Sequence, residues 1–335
     1  MKKWFQEKGP DGDVAISSRV RLARNFNDIP FPDRAKEEDI EDVRERVKTL
    51  CSDPELKFLK LSDMDDMSVS ALVARHLISP PFSKMRERGA ILKRDDESVC
   101  VMVNEEDHLR IQALSSGNNL ENAYLKASEL DDKVGELGNI AFSDTLGYLT
   151  ACPTNLGTGL RASVMLHLPA LEENGDINKL MGMISKLGLT IRGTFGESTK
   201  AVGNLYQISN QLTLGIDEKN TIGNLSAIVL EIIERERLAR EALYKGNLSF
   251  EDSFYRSMAI LSSARLLSGE ELYGHLSVLR TGVTLGLLDE SKTAEITRLL
   301  FCTSAGEIMK NEGRVLTPSE RDVFRANIVR GSSLF

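Results

Sequence analysis

The sequence lacks any run of apolar residues long enough to cross a bilayer, which needs roughly 18 or more. This absence argues against a protein anchored by transmembrane helices. Residues 1–6 carry two lysines with no apolar segment behind them, so no secretory signal peptide is predicted. With 41% hydrophobic and 27% charged residues, the 335-residue chain is expected to be a soluble, cytoplasmic protein with one large core or two smaller ones.

Cysteine is also scarce. The four cysteines, at positions 51, 100, 152 and 302, are too few and too scattered for a disulfide framework, and no Cys-x-x-Cys pair indicates structural zinc. There is no Asp-rich metal motif, so no residue is assigned as a metal ligand. The net charge of −8 argues against a general nucleic-acid binder but allows a local basic pocket for a polyanion.

Strand patterns stop before the last third of the chain. Strands are predicted at 98–103, 160–168, 189–194 and 204–211, and a further strand follows an acidic turn at 104–112. Helices are predicted at 35–51, 65–77, 120–137, 177–187, 221–244, 252–267, 269–285, 292–303 and 318–330. Strands joined by turns and by helices of varied length predict an α+β fold with an antiparallel sheet flanked by helices, followed by a small all-helical C-terminal domain.

The break Lys245-Gly246-Asn247 is the predicted domain boundary. It divides the chain into an α+β domain, residues 1–244, and a helical domain, residues 245–335. The helix that precedes the break is expected to be shared between the two domains.

Two arginines alternate with apolar residues near the N-terminus. Arg19 and Arg21 lie on one face of a predicted strand, with Val20 and Leu22 on the other. Two parallel guanidinium groups can hold a phosphate, although an edge strand is often decorated in the same way.

The segment Cys152–Val164 contains a thiol, two glycines and Arg161 ahead of an apolar strand. Its glycines allow backbone N–H groups to approach a ligand, so the segment fits either an anion-binding loop or a simple turn. Two other segments offer a carboxylate and a guanidinium together: the acidic turn that precedes Arg110, and a glycine-containing loop with Arg192.

Together these segments resemble the phosphagen, or guanidino, kinases, and the resemblance covers roughly residues 14–244. It implies ATP as the phosphoryl donor, with Mg²⁺ held mainly by the phosphates and water. Within the helix at 65–77, His76 is either a helix-terminal histidine or, by the resemblance, a residue beside the nucleotide. The residues that the resemblance places at ATP are Ser17, Ser18, Arg19, Val20, Arg21, His76, Arg110, Arg161, Ala162, Ser163, Val164, Met165, Arg192, Gly193, Thr194, Phe195 and Gly196.

The acceptor chemistry predicts a second set of residues. A guanidinium is a poor nucleophile, because its lone pairs are delocalised, so a kinase must orient it and assist proton removal. Glu106 and Glu197 are the candidate carboxylates for both tasks. Cys152, as a stabilised thiolate, would complete the site electrostatically without a covalent intermediate.

Only about sixteen residues precede the Ser17–Arg21 segment, whereas small-molecule guanidino kinases have a sizeable helical domain there. With the helical C-terminal region, this departure makes the chain look like the bacterial protein arginine kinases, which phosphorylate arginine side chains in proteins and mark them for Clp-type proteolysis. The same resemblance implies a homodimer, a zinc-containing activator protein and a Clp-type unfoldase as partners. It also assigns a phosphoarginine-binding motif to Arg321, Asp322, Arg325 and Ala326.

Two other functions fit the same motifs. The chain could phosphorylate free arginine or another small guanidine, or it could be a non-catalytic adaptor that binds phosphoarginine proteins. The presence of Glu106, Glu197 and all five arginines favours an active kinase over the adaptor.

Overall fold

A computed structural model describes residues 2–193 and 201–335 of the chain. Within these residues, eight strands form one antiparallel sheet and two short strands form a separate hairpin. The strands are β1 (Ala15–Arg24), β2 (Leu56–Lys60), β3 (Ala90–Arg94), β4 (Val99–Val103), β5 (Leu109–Ser116), β6 (Phe142–Ser143), β7 (Gly147–Tyr148), β8 (Leu160–His167), β9 (Leu189–Gly193) and β10 (Leu205–Asn210). Their order across the sheet is β2-β3-β4-β5-β1-β8-β10-β9, so β1 lies near the middle.

Helices cover both faces of this sheet. They are α1 (Glu37–Lys48), α2 (Asp66–Ala74), α3 (Leu120–Gly135), α4 (Pro169–Glu173), α5 (Ile177–Ser185), α6 (Glu218–Tyr244), α7 (Leu248–Ser263), α8 (Gly269–Thr284), α9 (Thr293–Cys302), α10 (Ala305–Glu312) and α11 (Pro318–Arg330). No helix in the described ranges combines the length and apolarity needed to cross a bilayer.

One face of the sheet is largely apolar in its central strands, with Ser18 and Ser115 as buried polar exceptions. Val20, Ile111, Val164 and Ile208 alternate with polar neighbours, as the period of two requires, and all four are fully buried on this face. Helices α1, α3, α5 and α6 pack on them and form the larger core. Burial of each such side chain contributes about 1.5–3 kcal/mol, which stabilises the sheet independently of its other face.

The opposite face is polar in the middle and apolar towards one end. Ile16, Met102 and Leu114 of this face share a second core with α2 and with the C-terminal helices, including Phe254 and Leu299. The helical region is therefore packed directly against the sheet, and it leaves the polar middle uncovered.

A buried polar network joins α6 to the sheet and to α8. The Arg240 guanidinium, fully buried, donates to Glu236 Oε1 at 2.7 Å and to the His167 carbonyl at 2.7 Å. His167 Nε2 lies 2.7 Å from Ser277 Oγ on α8. Because each buried charge has a partner, the network fixes how the helical region sits on the sheet.

The predicted α+β class, with an antiparallel sheet and a helical C-terminal region, is confirmed. The helices and strands expected from the sequence are present within a few residues of their predicted ends. Strands β2 and β3 and helices α4 and α10 were not predicted.

Candidate active site

The register of the sheet brings five arginines to one face. Arg21 on β1 lies opposite Arg161 on β8, and Ala23, next on the same face, lies opposite Arg110 on β5. Arg19 is two residues before Arg21, and Arg192 on β9 reaches the same face through Gln207 on β10. Since residues paired across strands share a face, the five side chains project together.

These arginines repel one another. Burial lowers the pKa of Arg19 to about 10, and the charges of Arg110 and Arg161 act in the same direction. Burial, followed by the neighbouring guanidinium charges, also lowers the pKa of Arg21 well below its usual value. The pKa of Arg161 is lowered by burial and then by Arg192 and Arg110.

Compensating negative charge on this face is small. Arg110 Nη1 donates to Glu105 Oε2 at 2.6 Å, and among the described residues this is the one ion pair made by the five arginines. Arg19 Nη2 instead donates to the neutral Gln207 Oε1 at 3.0 Å. A cluster of cations, four half-buried and Arg192 exposed, with one carboxylate partner in the described residues is an electrostatic site for a polyanion.

A cavity of about 620 Å³ opens onto part of this face. His76, beside Arg19, has its pKa lowered to about 4 by burial and by the Arg19 charge, so its ring is neutral near pH 7. The far wall comes from the helical region. On the sheet side the cavity is lined by Arg19, Arg21, His76, Arg110 and Gln112, and on the helical side by Gly269, Tyr273, Thr303, Ser304, Ala305, Gly306 and Arg325.

Gly157 of the Cys152–Val164 segment is required by close packing against the backbone of residue 213. Gly157 has φ +109°, and a Cβ there would lie 2.2 Å from the Thr213 carbonyl oxygen. The N–H of Thr158 donates to that same carbonyl at 2.9 Å. The N–H of Thr158 is therefore used within the protein, by the close packing on residue 213.

The acidic turn before β5 contacts the Cys152 segment. Asp107 Oδ1 accepts hydrogen bonds from the Asn25 side chain at 2.7 Å and from the Ala151 N–H at 2.7 Å. The Glu106 side chain is exposed, yet partial desolvation of its carboxyl, followed by the Asp107 charge, raises its pKa, and a hydrogen bond with Cys152 opposes the shift. The structure thus brings Glu106 and Cys152 together at the edge of the arginine face.

Two acidic residues of this turn were missed by the sequence reasoning. Glu105, which is buried, pairs with Arg110 and accepts a hydrogen bond from the Ser79 hydroxyl. Asp107 fixes the turn to the Cys152 segment. Both residues are adjacent to Glu106 in the sequence. The run of three consecutive acidic residues was therefore the signal that could have identified them.

The side chains predicted to be at ATP divide between the two faces. Ser17, Ser163 and Met165 share the face of the arginines. Ser18, Val20, Ala162 and Val164 are buried on the other face, so the structure does not bring their side chains to the arginines. Gly193 ends β9. Thr194, Phe195, Gly196 and Glu197 lie outside the described residues.

The predicted phosphoarginine motif lies at the start of α11, and its four residues differ in exposure. Arg325 is buried: its Nη1 donates to Asp322 Oδ1 at 2.6 Å and to the Leu267 carbonyl at 2.8 Å. Arg321 is half-buried and donates to the Leu316 carbonyl at 3.2 Å. Ala326 is buried in the second core. Arg321 and Asp322 are thus the accessible part of the motif.

Metal ligands are not clustered in the described residues: no group of three or more His, Cys, Asp or Glu side chains there could hold a metal ion. A divalent cation at this site would depend on other ligands, such as phosphate oxygens and water.

Family models match almost all of the chain. The ATP:guanido phosphotransferase C-terminal catalytic domain matches residues 38–239, and the C-terminal domain of the protein-arginine kinase McsB matches residues 247–333. The chain is 45% identical to a protein-arginine kinase of Halothermothrix orenii, covering 98% of this chain and 96% of that protein. It is 41% identical to the protein-arginine kinase of Bacillus subtilis, covering 98% and 93%.

Solved structures show the same fold. A lombricine kinase is 26% identical with a TM-score of 0.61, over 70% of this chain and 69% of that one. The duplicated taurocyamine kinase of Schistosoma mansoni, solved with transition-state analogue components, is 24% identical with a TM-score of 0.63, over 78% of this chain and 38% of that one.

Removing one cation from the arginine face should stabilise the ligand-free protein. We expect Arg21→Met to raise the thermal unfolding midpoint by about 2 °C or more, because it relieves repulsion and desolvation without breaking an ion pair. Arg46→Met is the matched control: Arg46 pairs with Asp28 at 2.7 Å and Asp42 at 2.8 Å, so its loss should lower the midpoint. Scanning calorimetry checks both, and a fall for Arg21→Met as large as the control's would contradict the repulsion.

Proposed function

Because this chain belongs to the ATP:guanido phosphotransferase family and, within it, to the protein-arginine kinases, we propose that it transfers the γ-phosphoryl group of ATP to arginine side chains of proteins. The observation that carries the proposal is the set of five guanidinium groups on one sheet face with an acidic turn at its edge. Phosphoryl transfer needs this combination: cations for the triphosphate and carboxylates for a cationic acceptor.

The phosphate chain of ATP lies, in this proposal, across Arg19, Arg21, Arg110, Arg161 and Arg192. The cavity beside His76 accommodates the nucleoside end, where a neutral imidazole adds no further charge. Mg²⁺ fits the site through phosphate oxygens and water, since the one carboxylate paired to these arginines in the described ranges, Glu105, already holds Arg110. Bound Mg²⁺ would neutralise charge that develops on the phosphates.

The acceptor arginine lies, in this proposal, against Glu106 and Cys152. Glu106 accepts hydrogen bonds from the acceptor guanidinium and removes its proton as the phosphoryl group arrives, a role that its raised pKa suits. Cys152 supports the cationic acceptor electrostatically. Glu197 has the second carboxylate role by sequence, and it lies outside the described residues.

Glu106→Gln tests the catalytic assignment. We expect phosphoarginine formation to fall on the order of a hundredfold, because the base and one orienting charge are lost, while ATP binding stays nearly intact. The parent's activity should also decline as pH falls through the raised pKa of Glu106, since the base works only when ionised. Glu121→Gln, an exposed acid on α3, is the control and should keep parental activity.

The assay uses labelled ATP with two acceptors, an unfolded arginine-containing protein and free arginine, and detects phosphoarginine by mass spectrometry. Transfer to the protein supports the proposal, and transfer to free arginine alone supports a small-guanidine kinase. ATP-independent binding of phosphoarginine proteins with no transfer would indicate the adaptor. Near-parental turnover by Glu106→Gln would remove that residue from the mechanism.

Partners and organisation form a second part of the proposal. We propose that residues 1–244 form the catalytic domain and residues 245–335 a helical domain that mediates a homodimer. A zinc-containing activator and a Clp-type unfoldase are the proposed protein partners, in a cytoplasmic role in protein quality control. The direct packing of the helical region on the sheet supports communication between the two domains.

We also propose that the accessible end of α11 binds phosphoarginine and raises activity. Arg321 would hold the phosphoryl group and Asp322 the guanidinium. Asp322 also fixes the buried Arg325, so Arg321→Ala is the cleaner variant.

Arg321→Ala should abolish the rise in activity caused by added phosphoarginine, because it removes a cation for the phosphoryl group. Arg314→Ala, an exposed neighbour paired with Glu320 at 2.8 Å, is the matched control and should respond like the parent. Activity with increasing phosphoarginine is the measurement. If Arg321→Ala and the parent respond equally, Arg321 does not bind the activating phosphoarginine, and the proposal for this helix is contradicted.

A further inference from the structure

Arg75, at the end of α2, lies between two buried carboxylates from distant parts of the chain. Its Nη1 donates to Glu97 in the turn between β3 and β4, and its Nη2 donates to Glu307 in the first turn of α10. The side chains of Glu97 and Glu307 are only 2% and 3% exposed. One guanidinium thus connects the catalytic sheet to the helical region.

Both carboxylates depend on the Arg75 guanidinium for hydrogen bonds and for compensating charge. Glu97 has one further partner, Lys3 Nζ at 3.0 Å, and the second oxygen of each carboxylate has no hydrogen-bond partner within the described ranges. Although burial acts in the opposite direction, the hydrogen bond of Glu307 and the two carboxylate charges raise the pKa of Arg75. Removal of Arg75 would leave the buried Glu307 carboxylate without an ion-pair partner within the described ranges.

The residue that follows Arg75 is His76, which lines the nucleotide cavity. His76 has φ +59°, a left-handed conformation that a non-glycine residue adopts only where its surroundings hold it. Its carbonyl accepts a hydrogen bond from Gln112 Nε2 at 2.7 Å, and its ring lies edge-on to Phe301 at 5.9 Å. The backbone turn that aims His76 is therefore fixed on one side by Gln112 and on the other by Arg75.

Glu307 also fixes the opposite wall of the cavity. A Cβ at Gly306 would lie 2.7 Å from the carbonyl oxygen of Ser70, so α10 and α2 touch through a position that only glycine fits. The residues of these two helices and of the α10 N-cap that line the cavity are Ser70, Val73, Ala74, Ser304, Ala305 and Gly306. A change in how α10 sits on α2 changes the width of the cavity.

We infer that Arg75 is a positioning residue through which the helical region sets nucleotide affinity. Its bridge between Glu97 and Glu307 holds His76 and the α10 wall at the separation that the nucleotide requires. The inference rests on the proposed function, because it takes the cavity's ligand to be ATP. Glu106, in the proposed acceptor site with Cys152, follows β4 at the end opposite Glu97, and its charged neighbours do not include Arg75, Glu97 or Glu307.

Glu307→Gln tests the bridge with little change in side-chain shape. We expect the dissociation constant for Mg·ATP, measured by calorimetry, to rise about tenfold, within the roughly 5–150-fold range of couplings between sites. The KM for ATP should rise by the same factor. The kcat at saturating ATP and the KM for the protein acceptor should change less than about twofold, because the phosphoryl-transfer geometry is unaltered.

Two controls separate positioning from loss of stability. Glu312→Gln changes an exposed acid of the same helix and should bind Mg·ATP like the parent. Leu261→Ala removes a buried side chain of α7 away from the cavity, so it should lower the unfolding midpoint and leave ATP affinity unchanged. If Glu307→Gln gives no folded protein, Arg75→Lys replaces it, since lysine keeps the charge but lacks the guanidinium fork that bridges two carboxylates.

The outcomes distinguish this inference from the proposed function. A parent protein that does not bind Mg·ATP would contradict the proposed function itself. A parent that binds, with unchanged affinity in Glu307→Gln or its replacement, would overturn the role of Arg75 alone. A loss of kcat without any loss of nucleotide affinity would overturn it as well.

Discussion

Mutual repulsion among five arginines on one sheet face is the constraint on which the rest of the structure depends. Such an arrangement opposes folding, because burial and like charges both disfavour the charged guanidinium groups. The sheet tolerates it because its other face is largely apolar and is packed under four helices. One face of these strands thus stabilises the fold, and the other carries the residues proposed to bind ATP, because successive side chains point to opposite faces.

The helical region completes the site that the sheet begins. It leaves the arginines open to a ligand, yet it supplies one wall of the cavity beside His76. Two buried polar networks hold it in place: Arg240 with Glu236 and His167, and Arg75 with Glu97 and Glu307. Because networks of this kind have few alternative arrangements, a small shift of the helices also moves the residues that line the cavity.

The sequence was sufficient to predict that Arg19 and Arg21 share one side of a strand, because a period of two requires it. It could not predict that Glu105, and not its neighbour Glu106, pairs with Arg110, since adjacent residues of a tight turn differ only in direction. The burial of Arg325 and the bridge from Arg75 to Glu307 depend on contacts between residues far apart in the chain, for which a single sequence offers no signal. Strand β2 was missed because its polarity does not alternate: apolar Leu59 is exposed and charged Lys60 lies on the partly buried face. Helix α10 was missed because it is only eight residues long.

The phosphate chain, held by the five arginines, should provide more of the nucleotide's binding energy than the nucleoside does. Calorimetric titration of ATP, tripolyphosphate and adenosine at low and high salt tests it most directly. We expect ATP and tripolyphosphate to compete for one site with affinities that fall as salt rises, and adenosine to bind far more weakly. Adenosine that binds as tightly as ATP, or tripolyphosphate that fails to displace ATP, would contradict a phosphate-binding role for the five arginines.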